Sequence, residues 1–549
     1  MGTKTIPAHL PQVIMVAAEC RDLAKVGGLG DVIRDLSAAI HALGIPTKII
    51  MPYYESIQCT PKYMRELSVI FNHAENAVKV FVYDLDNVEV FLLQNMDFFG
   101  GDYGEVYVDS NEYDHGPFED DAKRFAFFSA ATVELLKYLF SENRNGILHC
   151  HDWHTGSLLV LLSYDKRYLT LKNKLHSIFT IHNLDYQGSR PFELDGQRPL
   201  LSFSSWFPKL YRELKKSNQL TRLRDPRTPE LCFNPMRAGI NLSRIVTTVS
   251  PTYAKEITRP NDPTTKFFGG RGLEHDLRRL MQEKRLYGIL NGLDYSRHNP
   301  MDLKPPYDAQ VKNWQKNRLS HKLQLLKKLP EHLFGLKAKI GHRFKNSQRV
   351  LEKLHNYHSE TWLKRPLVVS VTRAVQQKIS ILFELTAEQQ PVFQEILKRD
   401  LNLIIFGTGE MQKKLEQLNQ YDNALFVCGF DPDFATQLYA GGDIFLMPSD
   451  FEPCGISQMI AMRYGCLPLV HDIGGLHDTV QDGVTGFVYS GQDRKQTIQN
   501  FLHTLDRALS CFRHQPEVWQ TMQAQAMRKR FDWHNSAQKY LKLYEMICK

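Results

Sequence analysis

The sequence predicts an α/β protein made of two doubly wound halves that follow one another along the chain. Three observations carry that prediction. The chain has 549 residues, too many for one ordinary core and enough for two large domains. Short runs of buried-strand character alternate with helical apolar spacing through both halves, the pattern of parallel sheets covered by helices. The loops that carry glycine, histidine, lysine and carboxylate fall just after those strand runs. In open α/β sheets that is where ligands bind.

In the first half, residues 12–19 read as a buried strand. It leads into Lys25-Val26-Gly27-Gly28-Leu29-Gly30-Asp31-Val32 and a helix to about residue 43. The spacing is not Gly-x-Gly-x-x-Gly, so no dinucleotide fingerprint is implied. The glycines permit close backbone approach to a ligand, and Lys25 offers a point charge suited to phosphate. Taken alone, the loop is equally compatible with a plain strand–helix turn and a solvated lysine. Strands follow at 47–52, 78–83 and 88–93, then a helix over 120–138 that begins acidic. The next strand ends in His149-Cys150-His151-Asp152-Trp153-His154. That order displaces the acid by one place from the His-x-His-x-Asp-His of metallo-β-lactamase-type hydrolases. These groups are therefore expected to bond polar substrate or loop backbone, with no metal. A strand at 177–184 ends in His182-Asn183, and residues 187–235 read as irregular loops over a cleft. A β-branched strand at 245–249 meets Pro251, which starts a helix. Residues 287–294 read as a short strand and turn at the domain boundary.

Residues 312–365 form a basic, mainly helical insertion. A second α/β series then begins with the strand 367–371, followed by Arg373-Ala374-Val375-Gln376-Gln377-Lys378. Strands at 401–406, 424–428, 444–447 and 467–470 continue it, the last leading to Gly474-Gly475. The centre of this half is the loop Ser449-Asp450-Phe451-Glu452-Pro453-Cys454-Gly455 and the helical spacing of 456–464 behind it. A helix N-terminus presents free N–H groups and partial positive charge, which suits phosphate. Glu452 in front of it suits a sugar hydroxyl, so the loop is expected to hold both ends of a nucleotide sugar. Residues 533–548 close the chain as an amphipathic helix. The expected division is 1–286, 287–528, and a segment 529–549 packing back on the first domain.

Apolar content of 43% and charged content of 23% are ordinary for a globular protein. The formal net charge of +8 is a mild excess that a solvated lysine-rich surface explains. The basic stretches Arg222-Leu223-Arg224-Asp225-Pro226-Arg227 and 337–345 lack the interleaved aromatics of a nucleic-acid motif, so no DNA or RNA partner is expected. No apolar run has bilayer length, and no signal pattern precedes the first strand. A cytoplasmic location without a membrane partner is expected. The nine cysteines are odd in number and form no Cys-x-x-Cys pair, which fits reduced thiols.

The ordered motifs resemble one family. Lys25 to Val32 is similar to the signature of bacterial glycogen synthases and plant starch synthases, glycosyltransferase family 5. The runs His151-Asp152-Trp153-His154, Thr180-Ile181-His182-Asn183, Val249-Ser250-Pro251-Thr252-Tyr253-Ala254, Gly288-Ile289-Leu290-Asn291-Gly292 and Phe451-Glu452-Pro453-Cys454-Gly455 resemble that family's motifs in the same order, over about residues 12 to 545. The resemblance implies a retaining GT-B enzyme, two Rossmann-like domains facing a deep cleft. It implies glucosyl transfer from ADP-glucose, or less often UDP-glucose, to the non-reducing 4-OH of an α-1,4-glucan such as glycogen, without cofactor or metal. By the same resemblance, Lys25, Gly27, Gly28 and Asn291 fall in the donor site, and Arg373 and Lys378 neutralise the diphosphate. Glu452 contacts the glucosyl ring, while Gly455, Ile456 and Ser457 offer amides to the distal phosphate. Tyr439 lies near the adenine, and Asp152, His182 and Asn183 hold the transferred sugar. Cys454 is a wall thiol on the sugar side.

The chain also departs from the family pattern. Thr372 replaces a serine, Ile379 a glycine, and His298 a tryptophan; His471-Asp472-Ile473 replaces a run with Arg and Thr; and the 312–365 connection is longer. Most of these changes fall at the diphosphate end. They leave open a catalytically weakened, glucan-binding regulatory homologue as the alternative to an active synthase. A glucan phosphorylase would share the two-domain plan, but no pyridoxal phosphate motif is seen.

Overall fold

The computed structural model describes residues 10–108, 119–141, 144–193, 201–228, 231–340 and 359–549. The chain forms two compact units. One comprises Met1–Pro260, Gly269–Gly292 and Trp533–Lys549, the other Asn261–Phe268 and Leu293–Asp532.

The first unit is built on a nine-stranded sheet. Its strands are β1 (Val13–Val16), β2 (Thr47–Pro52), β3 (Lys62–Phe71), β4 (Ala74–Leu85), β5 (Val88–Gln94), β6 (Gly146–His151), β7 (Leu175–Ile181), β10 (Ile245–Thr248) and β11 (Leu286–Gly288), while β8 (Arg190–Pro191) and β9 (Cys232–Phe233) pair separately. The order across the large sheet is β11-β10-β7-β6-β1-β2-β5-β4-β3. From β11 to β5 the pairing is parallel. The central strands β1 and β6 are buried along their whole length, as expected when helices cover both faces. The edge strands β3 and β4 are antiparallel. They turn through Asn72-His73 and Asp86-Asn87, all four residues at positive φ, the requirement of two-residue type I′ hairpins. Sequence reading missed β3 because Leu67, Val69 and Phe71 alone supply its buried face.

One further reading needs correction. The 187–235 stretch is not irregular throughout: it contains the helices Phe203–Trp206 and Pro208–Lys216 and the β8–β9 pair. Phe192, Phe203, Phe207, Tyr211 and Phe233 are buried there and organise it around aromatic contacts. Positions 194–200 and 229–230 of that stretch lie outside the described residues. In the basic insertion the helix Trp314–Ile340 is present, and positions 341–358 lie outside the described residues. Arg318 and Lys322 from this helix reach the buried Asp443, with Lys322 Nζ 2.6 Å from its carboxylate. Asp443 also accepts the Leu367 amide at 2.8 Å. A buried cation beside a hydrogen-bonded carboxylate fixes the helix in register.

The second unit holds a six-stranded parallel sheet, β12 (Leu367–Val371), β13 (Asn402–Gly407), β14 (Ala424–Cys428), β15 (Ile444–Met447), β16 (Leu467–His471) and β17 (Phe487–Tyr489), in the order β14-β13-β12-β15-β16-β17. Counted from β12 this is 3-2-1-4-5-6, the doubly wound order of a Rossmann sheet. The winding reverses between β12 and β15. In the first sheet the corresponding reversal lies between β1 and β6. The helix Trp533–Cys548 belongs to the first unit, where Trp533, Tyr540 and Tyr544 enter the core. Trp533 Nε1 donates to Asp35 at 3.0 Å and Tyr544 O–H lies 2.9 Å from His149 Nδ1.

Candidate active site

At a winding reversal the helices after two neighbouring strands diverge to opposite faces and leave a crevice at the carboxyl ends. In each unit most of the predicted residues lie on the loops at the carboxyl ends of the strands flanking or next to the reversal, whereas Asn291 follows the edge strand β11 and Tyr439 lies within the helix Pro432–Gly441.

In the first unit the loop after β1 carries Glu19, Lys25, Gly27 and Gly28. The Glu19 carboxylate is buried and accepts the amides of Val26 and Gly27, each at 2.8 Å, and the Tyr107 hydroxyl at 3.2 Å. Burial raises its pKa against those bonds. Glu19 thus holds the glycine turn that starts the helix Gly28–Ala42. A Cβ on Gly27 would meet nothing closer than Glu19 at 3.9 Å, so the turn has an open side. Lys25 is partly exposed and pairs with Asp31 at 2.5 Å. Its charge is therefore shared with a carboxylate rather than free.

The loop after β6 carries Asp152 at φ 59°, ψ 179°, a backbone region that is almost exclusive to glycine. Three contacts hold it there. Asp152 N–H donates to Thr180 O at 2.9 Å, its carbonyl accepts the Thr155 hydroxyl at 3.0 Å, and its carboxylate accepts the His182 amide at 2.9 Å. Burial lifts the Asp152 carboxyl to about 7, against the opposing pull of the His182 and Asn183 amides. His182 Nε2 lies 3.0 Å from His151 Nδ1, and desolvation lowers both imidazoles. The histidines that suggested a metal are engaged with the protein. His149 bonds Tyr544 and Thr180, and His154 Nε2 lies 2.9 Å from the Tyr107 hydroxyl. Among the described residues no group of three or more His, Cys, Asp or Glu is placed to hold a metal ion. Asn183 closes its own turn on the Asp185 amide at 3.0 Å, and Asn291 is buried in the same unit.

In the second unit the loops after β12 and β15 lie on either side of the reversal. Lys378, from the first, forms an ion pair with Glu452, from the second. Both side chains are almost enclosed, 12% and 7% exposed, so this pair lies in a low-dielectric wall. Burial lowers the Lys378 pKa while Glu452 pulls it back up. The loops are tied at their roots. Asp450 N–H donates to Gln377 O at 2.8 Å and Gln377 Nε2 to Phe451 O at 2.9 Å. The Asp450 carboxylate accepts the Ser380 hydroxyl and, at 2.7 Å, Arg494 Nη1. Arg494 also forks Glu384, with Nε 2.6 Å from its carboxylate. Arg373 is exposed at the start of the same loop.

Behind Glu452, Cys454 is buried and Gly455 takes φ 73°. The helix there is Ser457–Arg463, seven residues, with Ile456 as N-cap and no side-chain cap bond. It is shorter at both ends than the spacing predicted. The loop leans on a second helix start: Gly475 N–H donates to Glu452 O at 2.9 Å, and a Cβ on Gly475 would lie 2.1 Å from Cys454 O. Tyr439 is enclosed, its hydroxyl bonded to Ser457 and its ring stacked on Tyr464. It supports Ser457 from beneath and has 4% of its surface exposed.

Sequence reading missed Glu19, Tyr107, Gln377 and Arg494. A carboxylate ending an otherwise apolar strand was an available signal for Glu19. Arg494 had none, because its partners lie 44 and 110 positions away.

Comparison with known proteins agrees with this geometry. Residues 12–279 match the family model of the starch synthase catalytic domain, and residues 366–507 that of glycosyl transferases group 1. Fold and site together define a glycosyltransferase of GT-B-like architecture. A glycogen synthase of Hydrogenobaculum sp. (strain Y04AAS1) is 32% identical, the match covering 97% of this chain and 98% of that one. A glycogen synthase of Streptococcus gordonii is 32% identical over 98% of this chain and 100% of its own. The catalytic domain of starch synthase IV from Arabidopsis thaliana, bound to ADP and acarbose, superposes with a TM-score of 0.75 at 28% identity, covering 98% of this chain and 100% of that one. The chain belongs to the glycogen and starch synthase family.

Proposed function

We propose that the protein lengthens an α-1,4-glucan, such as glycogen, by moving glucose from ADP-glucose to its non-reducing 4-OH with retention of configuration. The buried Lys378–Glu452 pair at the β12/β15 reversal carries this reading, in a chain of this family along its whole length. The Arabidopsis relative's ADP and acarbose support a nucleotide donor and a saccharide acceptor.

The chemistry breaks the bond from C1 to the diphosphate oxygen and forms one from C1 to the acceptor O4. The acceptor proton passes to the departing diphosphate, on whose face the acceptor attacks. Negative charge grows on that oxygen in the transition state. Arg373, Lys378 and the Gly455–Ser457 amides stabilise it, and Lys25 and the Gly27–Gly28 backbone are assigned to the donor's phosphates. The diphosphate competes with Glu452 for Lys378, which frees Glu452 to accept sugar hydroxyls. Asp152, His182 and Asn183 bind the transferred glucose, and Asn291 completes the donor side. Tyr439 acts under Ser457, and Cys454 forms wall. The reaction takes place in the cytoplasm. Among the described residues, no helix is long and apolar enough to cross a membrane.

Incubation with radiolabelled ADP-glucose and glycogen tests the reading. Label is expected in glycogen, in excess over that from UDP-glucose, and is expected to vanish in Arg373→Ala. Glucan binding without any transfer from either donor would instead establish the regulatory homologue.

A further inference from the structure

The first unit has a polar cavity of about 480 Å³ at the edge of its sheet opposite the loops described above. Arg244 stands immediately before β10, Arg285 immediately before β11, and His176 and Ser177 open β7. These are the amino ends of three adjacent parallel strands. The polar loops described above follow carboxyl ends, so the length of β7, roughly 20 Å, separates the two edges.

Lys172, Arg222, Arg244 and Arg285 line this cavity, and no acidic side chain does. Lys172 and Arg222 are exposed. Arg285 is oriented from behind: Nε and Nη2 donate to the carbonyls of Arg244 and Ser243 at 2.9 and 2.8 Å, and Nη1 lies 2.8 Å from Glu283. Arg244 Nη1 lies 3.3 Å from His176 Nδ1. Ser243, in the same wall, keeps a buried hydroxyl without a hydrogen-bond partner. Four cationic side chains therefore line one cavity, and Glu283 offsets one of them, so the cavity carries a positive potential that favours an anion. A cavity this size suits a small molecule.

We infer that the cavity is a binding site for a small phosphomonoester, separate from the reaction centre and independent of the transferase reading. Its phosphate is held by Arg244, Arg222 and Lys172, and its organic part lies along Leu159 and Leu162 of the lining.

Calorimetric titration of the full-length protein tests this, with ribose 5-phosphate and inorganic sulfate as probes. Wild type, K172A/R222A, R244Q and R373A are compared. Saturable ribose 5-phosphate binding is expected in wild type and R373A. It should weaken at least tenfold in K172A/R222A, and in R244Q, which reads the same site should the double variant fold poorly. No saturation below about 10 mM would overturn the inference, as would loss in R373A with retention in K172A/R222A and R244Q. Sulfate binding as tight as ribose 5-phosphate would mean an adventitious ion only and would overturn it equally.

Discussion

Arg494 Nη1 lies 2.7 Å from Asp450 Oδ1, and that contact joins the first turn of the helix Arg494–His514 to the loop that carries Glu452. The same guanidinium holds Glu384, which follows the segment bearing Lys378. One planar fork therefore fixes both loops. Arg494→Met should lower kcat about 10- to 100-fold, with less change in the KM for glucan. Taking the cation from the buried Asp450 should also cost about 3 kcal/mol of stability, while Glu384 keeps its ion pair with Lys266 at 2.5 Å. Arg494→Lys should recover stability more than kcat, because a point charge cannot hold two carboxylates in one plane. Steady-state kinetics with thermal melting separate the two; equal recovery of both would refute the positioning role.

Lys378 and Glu452 should behave as a unit. Lys378→Met and Glu452→Gln are each expected to reduce kcat by about 10²–10³, the usual effect of losing one preorganised stabilising group. The double variant should fall well short of the product of the two, since each single change strands a buried partner. A strictly multiplicative double variant would show the pair to be uncoupled.

Asp152 makes stability fall with rising pH. Its carboxyl titrates at about 7 folded against 3.8 ordinarily, so the folded state holds the proton more tightly. The protonated form is favoured below pH 4, and its advantage is lost as pH climbs from about 4 to 7. Asp152→Asn should remove that decline, worth on the order of 4 kcal/mol, while abolishing transfer. Melting temperatures of the two proteins, compared from pH 5 to 8, should converge toward low pH and diverge in the variant's favour toward neutral pH. A constant gap would contradict this.

Gly475→Ala should damage the site from behind. The new methyl would lie 2.1 Å from Cys454 O, so the 452–455 loop must shift. A cost of about 1–3 kcal/mol is expected, with a fall in activity larger than that of Cys454→Ala. Parity between the two variants would show that the loop accommodates the methyl.

The glycine turn predicts a separate effect. Glu19→Ala frees the amides of Val26 and Gly27 together. The KM for the donor should rise about tenfold, with a smaller change for the glucan. An unchanged donor KM would remove Glu19 from the binding machinery.

Much of this was legible beforehand, for physical reasons. Parallel strands buried on both faces, such as β1, β6 and β12, announce themselves as apolar runs, and polar residues at their ends mark the ligand side. Those features located Lys25, Asp152, His182, Lys378 and Glu452. The strand β3 escaped because it shows one buried face at a sheet edge. The aromatic segment around Phe203 escaped because its order comes from contacts distant in sequence. The ion pairs were hidden for the same reason. Lys25 and Glu452 read as free groups facing a ligand, whereas Asp31 and Lys378 already occupy them.

The helix Trp533–Cys548 completes a core whose other strands all precede residue 289. During synthesis the ribosome must make the whole second unit before Trp533 can reach Asp35 or Tyr544 can reach His149. The first unit therefore waits, with an apolar groove open, until residues 533–548 have been made. A chain stalled before residue 533 would carry one finished unit and one unfinished one, and the unfinished one would be the half made first.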